Sequence, residues 1–116
     1  MCLFCKLVSG EIPSKKVYED DLIYAFDDIE PEAPVHFLVI PKKHYENLND
    51  DVPAELLGHM WTKVPEIAAL KGIRESGYRS LMNTGPDSAS SVPHMHIHVM
   101  GGIQMGRSTF ENSQRQ

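Results

Sequence analysis

Three of the six histidines fall within five residues, in the run His94-Met95-His96-Ile97-His98-Val99-Met100. Alternate side chains of an extended strand share a face. His94, His96 and His98 are therefore expected on one face, and Met95, Ile97 and Val99 on the other. The apolar set can pack into a core, which frees the imidazole row to form a site. A solvated strand face that is merely histidine-rich is the plainer alternative, but three imidazoles in alternation beside a Ser/Gly loop favour a site. Such a row can hold a metal such as zinc or supply a nucleophile with acid–base partners. The preceding stretch, Asn83-Thr84-Gly85-Pro86-Asp87-Ser88-Ala89-Ser90-Ser91, offers hydroxyls, an amide and flexible backbone N–H groups. These are donors for phosphate oxygens rather than ligands for a soft metal. The second reactive group is Cys2-Leu3-Phe4-Cys5. Its spacing is that of half a zinc knuckle, and a tetrahedral site needs two further ligands. Two free thiols are the other reading.

The elements that must position these groups follow from periodicity. Residues 3–8 form an apolar run ended by Ser9-Gly10, which suits a turn or two of helix with Gly10 past its end. Residues 16–18 read as a strand, 19–21 as a turn and 22–26 as a second strand, together a hairpin. Pro31 and Pro34 break the next stretch. Residues 36–40 are the most strand-like run, closed by Pro41. The long helix is expected over residues 53–71, where Leu57, Met60, Trp61, Val64, Ile67 and Ala68 form one apolar stripe. Pro53 sits in its first turn. Pro65 removes one internal hydrogen bond and predicts a kink near Trp61 rather than two helices, because the stripe keeps its phase. Residues 78–83 form another strand and 84–91 a loop. The last strand spans 94–100, ended by Gly101-Gly102. Strands, helix, strands, with antiparallel hairpins, is an α+β arrangement with the helix on one sheet face.

A chain of 116 residues suits one domain, residues 1–116. So short a chain buries a modest fraction of its surface, which makes a homodimer the expected state. A net charge of −5 argues against a nucleic-acid groove binder, while a few backbone N–H groups can still hold one phosphate. No run approaches the length of a membrane span or a signal peptide. The expected compartment is the cytoplasm, where a structural disulfide between Cys2 and Cys5 is disfavoured.

The histidine run, His-Met-His-Ile-His-Val-Met, matches the signature of the histidine triad (HIT) family, in which histidines alternate with apolar residues. Phe26-Asp27-Asp28-Ile29, Pro31, Ala33-Pro34 and His36-Phe37-Leu38-Val39-Ile40-Pro41-Lys42-Lys43-His44 resemble the Hint branch almost residue by residue, and Gly77-Tyr78-Arg79, Asn83 and Gly101-Gly102 also fit. The resemblance runs from about Cys2 to Met105. It implies a HIT-like fold: an antiparallel sheet of about five strands, one long helix and a short N-terminal helix.

It also implies roles. His96 is the expected nucleophile, forming a nucleotidyl-histidine that water resolves. His98 contacts the α-phosphate, His36 is a supporting histidine, and Ser91 lies near the leaving group. Asp28 takes both ribose hydroxyls, though it could instead cap its proline-rich turn. Phe4, Leu7, Phe26 and Ile29 match the base pocket; Phe4, Leu7 and Phe26 could equally be plain core. Asn83 matches a polar contact beside the sugar and phosphate. One departure stands out: Hint-like chains usually read Gly-Gln-Ser where this one reads Ala89-Ser90-Ser91, so whether Ala89 offers its N–H to the phosphate is open. The polar tail from Arg107 to Gln116 matches nothing in the family pattern. It is either disordered or shapes the leaving-group side. Some bacterial HIT proteins pair such cysteines with the histidine after Pro-Lys-x-His, here His44, and the first of the row, here His94. This implies a structural zinc on Cys2, Cys5, His44 and His94 and no metal in catalysis. The implied activity is hydrolysis of purine nucleoside phosphoramidates or acyl-nucleotides. A dinucleoside polyphosphate hydrolase, or a nucleotide-binding adaptor with incidental turnover, are the alternatives.

Overall fold

In the computed structural model, residues 2–90 and 92–107 are described. Ser91 and the tail beyond Arg107 lie outside them. The elements are α1 (Leu3–Ser9), β1 (Lys16–Glu19), β2 (Ile23–Asp27), β3 (Val35–Pro41), α2 (Ala54–Leu70), β4 (Tyr78–Leu81) and β5 (Ile97–Gly101), with a short 3-10 turn at Pro86–Ser88 before β5. The five strands form one sheet in the order β1-β2-β3-β5-β4, and every neighbouring pair is antiparallel. The expected α+β class, with five strands, one long helix and a short N-terminal helix, is what the chain adopts.

The sheet is covered on both faces, and the period of two along its strands divides the core. Ile23, Ala25, Phe37, Val39, Ile97 and Val99 point towards α2 and meet Met60, Val64 and Ile67. Tyr24, Phe26, Leu38 and Ile40 point the other way and meet Phe4 and Leu7 of α1. The hairpin turn is held by Asp20, whose Oδ1 accepts from the Leu22 and Ile23 N–H groups at 2.8 and 3.0 Å. Its Oδ2 binds His59 of α2 at 2.7 Å and the Tyr18 hydroxyl at 3.0 Å. Burial alone would raise the Asp20 carboxyl, but these four donors hold it down at about 2.

Several expectations are adjusted by the structure. The stripe of α2 is Leu56, Met60, Val64, Ile67 and Ala68; Leu57 is only partly buried, and Trp61 is 38% exposed. Spacings of four and three from Leu56 stay on one face, whereas Trp61 stands about 100° round from Met60. The helix runs through Pro65 as a single element, as the unbroken phase of its stripe implied. The last strand begins at Ile97, not His94. The Met95 N–H is donated to the Tyr45 carbonyl at 2.7 Å and the His94 N–H to the Val92 carbonyl at 2.8 Å, so residues 94–96 follow the loop after β3 instead of a strand partner. Gly101 is the last residue of that strand rather than the first of the turn. It pairs with both Val35 and Tyr78, and a Cβ there would lie 3.0 Å from Ile73 Cδ1. The turn follows at Gly102, where φ is +88°. β4 also stops at Leu81, two residues short of Asn83.

Candidate active site

The row of histidines faces α1, opposite Met95, Ile97 and Val99, which lie in the α2-side core. The two faces thus separate as alternation predicts even though the regular strand starts late. The Phe4 ring packs edge-on against His96 at 5.1 Å, His94 at 5.9 Å and Phe26 at 5.4 Å between centroids. Leu7 joins the same small core.

His96 is 6% exposed, and its Nδ1 lies 2.7 Å from the His94 carbonyl. A carbonyl only accepts, so Nδ1 carries the hydrogen and Nε2 keeps its lone pair. Burial lowers the His96 pKa from its ordinary value, against the opposing pull of the His94 carbonyl and of Asp28, so the neutral, nucleophilic form is favoured. His98, with Leu38 directly opposite on β3, is a diagonal neighbour of His36. The His36 Nε2 and His98 Nδ1 atoms are 3.0 Å apart. His98 is held at about 4, first by burial and then by the neighbouring His96 and His36.

Asp28 extends the β2–β3 pairing, its N–H bonded to the His36 carbonyl at 3.0 Å. Its Oδ1 accepts from the Glu30 N–H at 2.9 Å, and its Oδ2 lies 3.5 Å from His36 Nε2. It therefore caps its turn and also reaches the histidines; the two roles weighed for it coexist. Asn83, Ser88 and Ala89 line a cavity of about 550 Å³ together with His98 and Arg79. Ala89 takes the left-handed conformation, φ +62°, and gives its N–H to the Pro86 carbonyl at 3.0 Å, so in this structure that group is engaged within its own turn. Ile29 is 90% exposed and stands apart from the Phe4–Phe26 cluster. Phe4, Leu7 and Phe26 are buried. Ser91 lies outside the described residues.

The second cluster joins α1 to the sheet. Cys2 caps α1, its Sγ accepting from the Cys5 N–H at 3.2 Å. The Cys2 and Cys5 Sγ and the His44 and His94 Nδ1 atoms lie at six mutual separations of 3.1, 3.2, 3.3, 3.4, 3.5 and 3.5 Å. A near-regular tetrahedron of that size has its centre about 2 Å from each corner, close to zinc–nitrogen and zinc–sulfur bond lengths. His94 Nε2 donates to the Pro41 carbonyl at 2.9 Å, which leaves Nδ1 a lone pair aimed into the cluster. Both cysteines are free thiols. The donor set fits a tetrahedral zinc ion. Backbone groups at Pro41, His94 and Glu32, the last donating to His36 Nδ1 at 3.0 Å, were invisible to sequence reading because every residue type carries them.

A two-faced antiparallel sheet with three histidines at its central seam defines the histidine triad class. The HIT domain model matches residues 9–105, and the chain belongs to this family. It is similar to Protein HitA of Neisseria gonorrhoeae, at 47% identity over 86% of this chain and 94% of that protein. It is likewise similar to the purine nucleoside phosphoramidase of Escherichia coli K12, at 46% over 90% and 89%. Among solved structures, a HIT family hydrolase from Legionella pneumophila superposes with a TM-score of 0.88 at 43% identity, over 92% of this chain and 97% of that one. One from Clostridium thermocellum does so with 0.89 at 38%, over 94% and 96%. These relatives support hydrolase activity. No helix among the described residues is long and apolar enough to cross a membrane.

Proposed function

We propose that the chain hydrolyses purine nucleoside phosphoramidates or acyl-nucleotides at the α-phosphate. The observation that carries this reading is the His96 ring, kept neutral by burial, with Nδ1 bonded to the His94 carbonyl and Nε2 free to attack. The new bond is Nε2–P and the bond broken is from phosphorus to the leaving nitrogen or acyl oxygen. A leaving amine takes up a proton from solvent, a leaving carboxylate takes none, and the proton freed in the water step that follows returns to solvent. Water then attacks phosphorus, breaking P–Nε2 and returning His96 with the nucleoside monophosphate. His98 contacts the α-phosphate and His36 supports it; Asn83, Ser91 and the loop at Ala89 complete the phosphate and leaving-group side. Asp28 holds the ribose hydroxyls, and Phe4, Leu7, Phe26 and Ile29 serve the base.

Cys2, Cys5, His44 and His94 hold a structural zinc in this reading. When bound, the ion ties α1, and with it Phe4, to the sheet. The working form is a homodimer in the cytoplasm. Turnover of adenosine phosphoramidate, measured beside AMP affinity, tests the assignment. Turnover that is lost in His96→Ala supports it; tight AMP binding without turnover makes the chain a nucleotide-binding adaptor. Preferential cleavage of a dinucleoside polyphosphate would move it to that hydrolase class.

A further inference from the structure

We infer that the main-chain N–H of Glu32 sets the tautomers of His36 and His98, so that His98 presents an Nε2–H donor to the cavity it lines. The chain of reasoning starts from a group with no choice. An amide N–H can only donate, and that of Glu32 lies 3.0 Å from His36 Nδ1. Nδ1 must therefore carry a lone pair, and the hydrogen of the neutral His36 ring sits on Nε2. That hydrogen has two acceptors within reach, His98 Nδ1 at 3.0 Å and Asp28 Oδ2 at 3.5 Å. The shorter contact is a hydrogen bond and the longer is at the limit of one. His98 Nδ1 is thus an acceptor, and the hydrogen of His98 is left on Nε2.

Local chain geometry supplies the Glu32 amide. Asp28 Oδ1 takes the Glu30 N–H at 2.9 Å, an Asx turn that folds residues 28–32 back across the start of β3. The side chain of His36 is fully buried, so no water competes for its Nδ1. The same arrangement decides a second question. Asp28, His36 and His98 offer three ligand atoms within 4.8 Å of one another, the composition of a two-histidine, one-carboxylate metal site. A ring whose Nε2 bears the hydrogen cannot donate that nitrogen to a metal. The group is a relay of hydrogen bonds, with Glu32 as a positioning residue that acts through His36.

This deepens the reading under Proposed function and rests on it only for what the His98 donor meets, a phosphate oxygen. The tautomers themselves are measurable without substrate. Long-range proton–nitrogen correlation on protein labelled with 15N-histidine, one equivalent of zinc added, assigns each ring. Loss of the relevant signals in His36→Gln and His98→Gln identifies them. The expected result is a protonated Nε2 and a bare Nδ1 in both rings. Replacing the Glu32 amide by an ester, through incorporation of the α-hydroxy acid, removes the one N–H and keeps the side chain. His36 is then expected to populate both tautomers and AMP to bind about tenfold more weakly, whereas Glu32→Gln, which keeps the amide, retains the fixed tautomers. A proton on Nδ1 of either ring in the native protein overturns the inference. So does an ester variant with unchanged tautomers, or a second equivalent of zinc that strips the proton from His36 Nε2. Absence of phosphoramidate turnover with the expected tautomers intact would instead count against the proposed activity alone.

Discussion

Among the described residues His96 makes one hydrogen bond, to a main-chain carbonyl, and edge-on ring contacts with Phe4 and His98, so its removal should cost chemistry more than structure. His96→Ala is expected to lower turnover of adenosine phosphoramidate by about three orders of magnitude or more, with circular dichroism unchanged; retention of even a few per cent of activity would rule it out as the nucleophile. Asp28→Ala should weaken AMP by about tenfold to a hundredfold, the range of one charged hydrogen bond. The 2′,3′-dideoxy analogue should lose less, only what the Asp28 turn contributes through Glu32 and His36, and equal losses for both ligands would exclude ribose contact. His98 gives a pH dependence with a definite sign. Its folded pKa of about 4 lies below the ordinary value of about 6.5. Between those values the unfolded chain binds more protons, so its contribution to stability is complete above 6.5 and is lost as the pH falls towards 4. Acid also releases any zinc, so the comparison belongs in the Cys5→Ser background. There the melting temperature should fall more steeply between pH 6.5 and pH 4 than it does when His98→Gln is added.

At the scale of elements, the β1–β2 turn is held by one side chain. Asp20 satisfies two turn amides, Tyr18 and His59 of α2. Asp20→Ala is expected to destabilise the protein by about 2 kcal/mol, the scale of charged hydrogen bonds lost at a partly exposed site. Asp20→Asn should recover part of that, and chemical denaturation measures both; an unchanged midpoint for Asp20→Ala would show that the turn holds without it. The same comparison explains what could be read in advance. Alternation along 94–100 is a local property, and it placed the histidines on one face and Met95, Ile97 and Val99 on the other. Where the strand starts is not local: it depends on a Tyr45 carbonyl fifty positions away. The α2 stripe was legible in its spacing, but choosing Leu56 over Trp61 needed the true phase of the helix against the sheet. Cysteine and histidine side chains announced the tetrahedral cluster, and the resemblance located its four members. The carbonyls and amides that orient the histidine rings left no trace in composition.

For the whole molecule, the cysteine–histidine cluster and the triad lie on the same face of the sheet and share α1. Protein purified without added metal is expected to hold one zinc per chain by elemental analysis, and Cys5→Ser to hold much less; equal content would remove the site. Chelation should lower the melting temperature more than it lowers the turnover rate at a temperature where the fold survives. Immediate loss of turnover with the fold intact would make the metal catalytic. The partly exposed Trp61 and the exposed Leu70 on α2 accord with a homodimer, which light scattering at micromolar concentration would reveal; a monomer there would refute it.

His94 connects the two sites with different parts of itself. Its ring belongs to the cysteine cluster and to Pro41, while its carbonyl belongs to His96. Only the ring depends on which amino acid stands at position 94. A descendant that lost Cys2 and Cys5 could therefore let this position drift to another buried residue and still inherit an oriented His96 ring. The proposed zinc site and the orientation of the His96 ring are therefore separable, although both pass through one residue. His94→Asn, which should forfeit zinc while keeping measurable turnover at low temperature, reproduces that divergence in a single step.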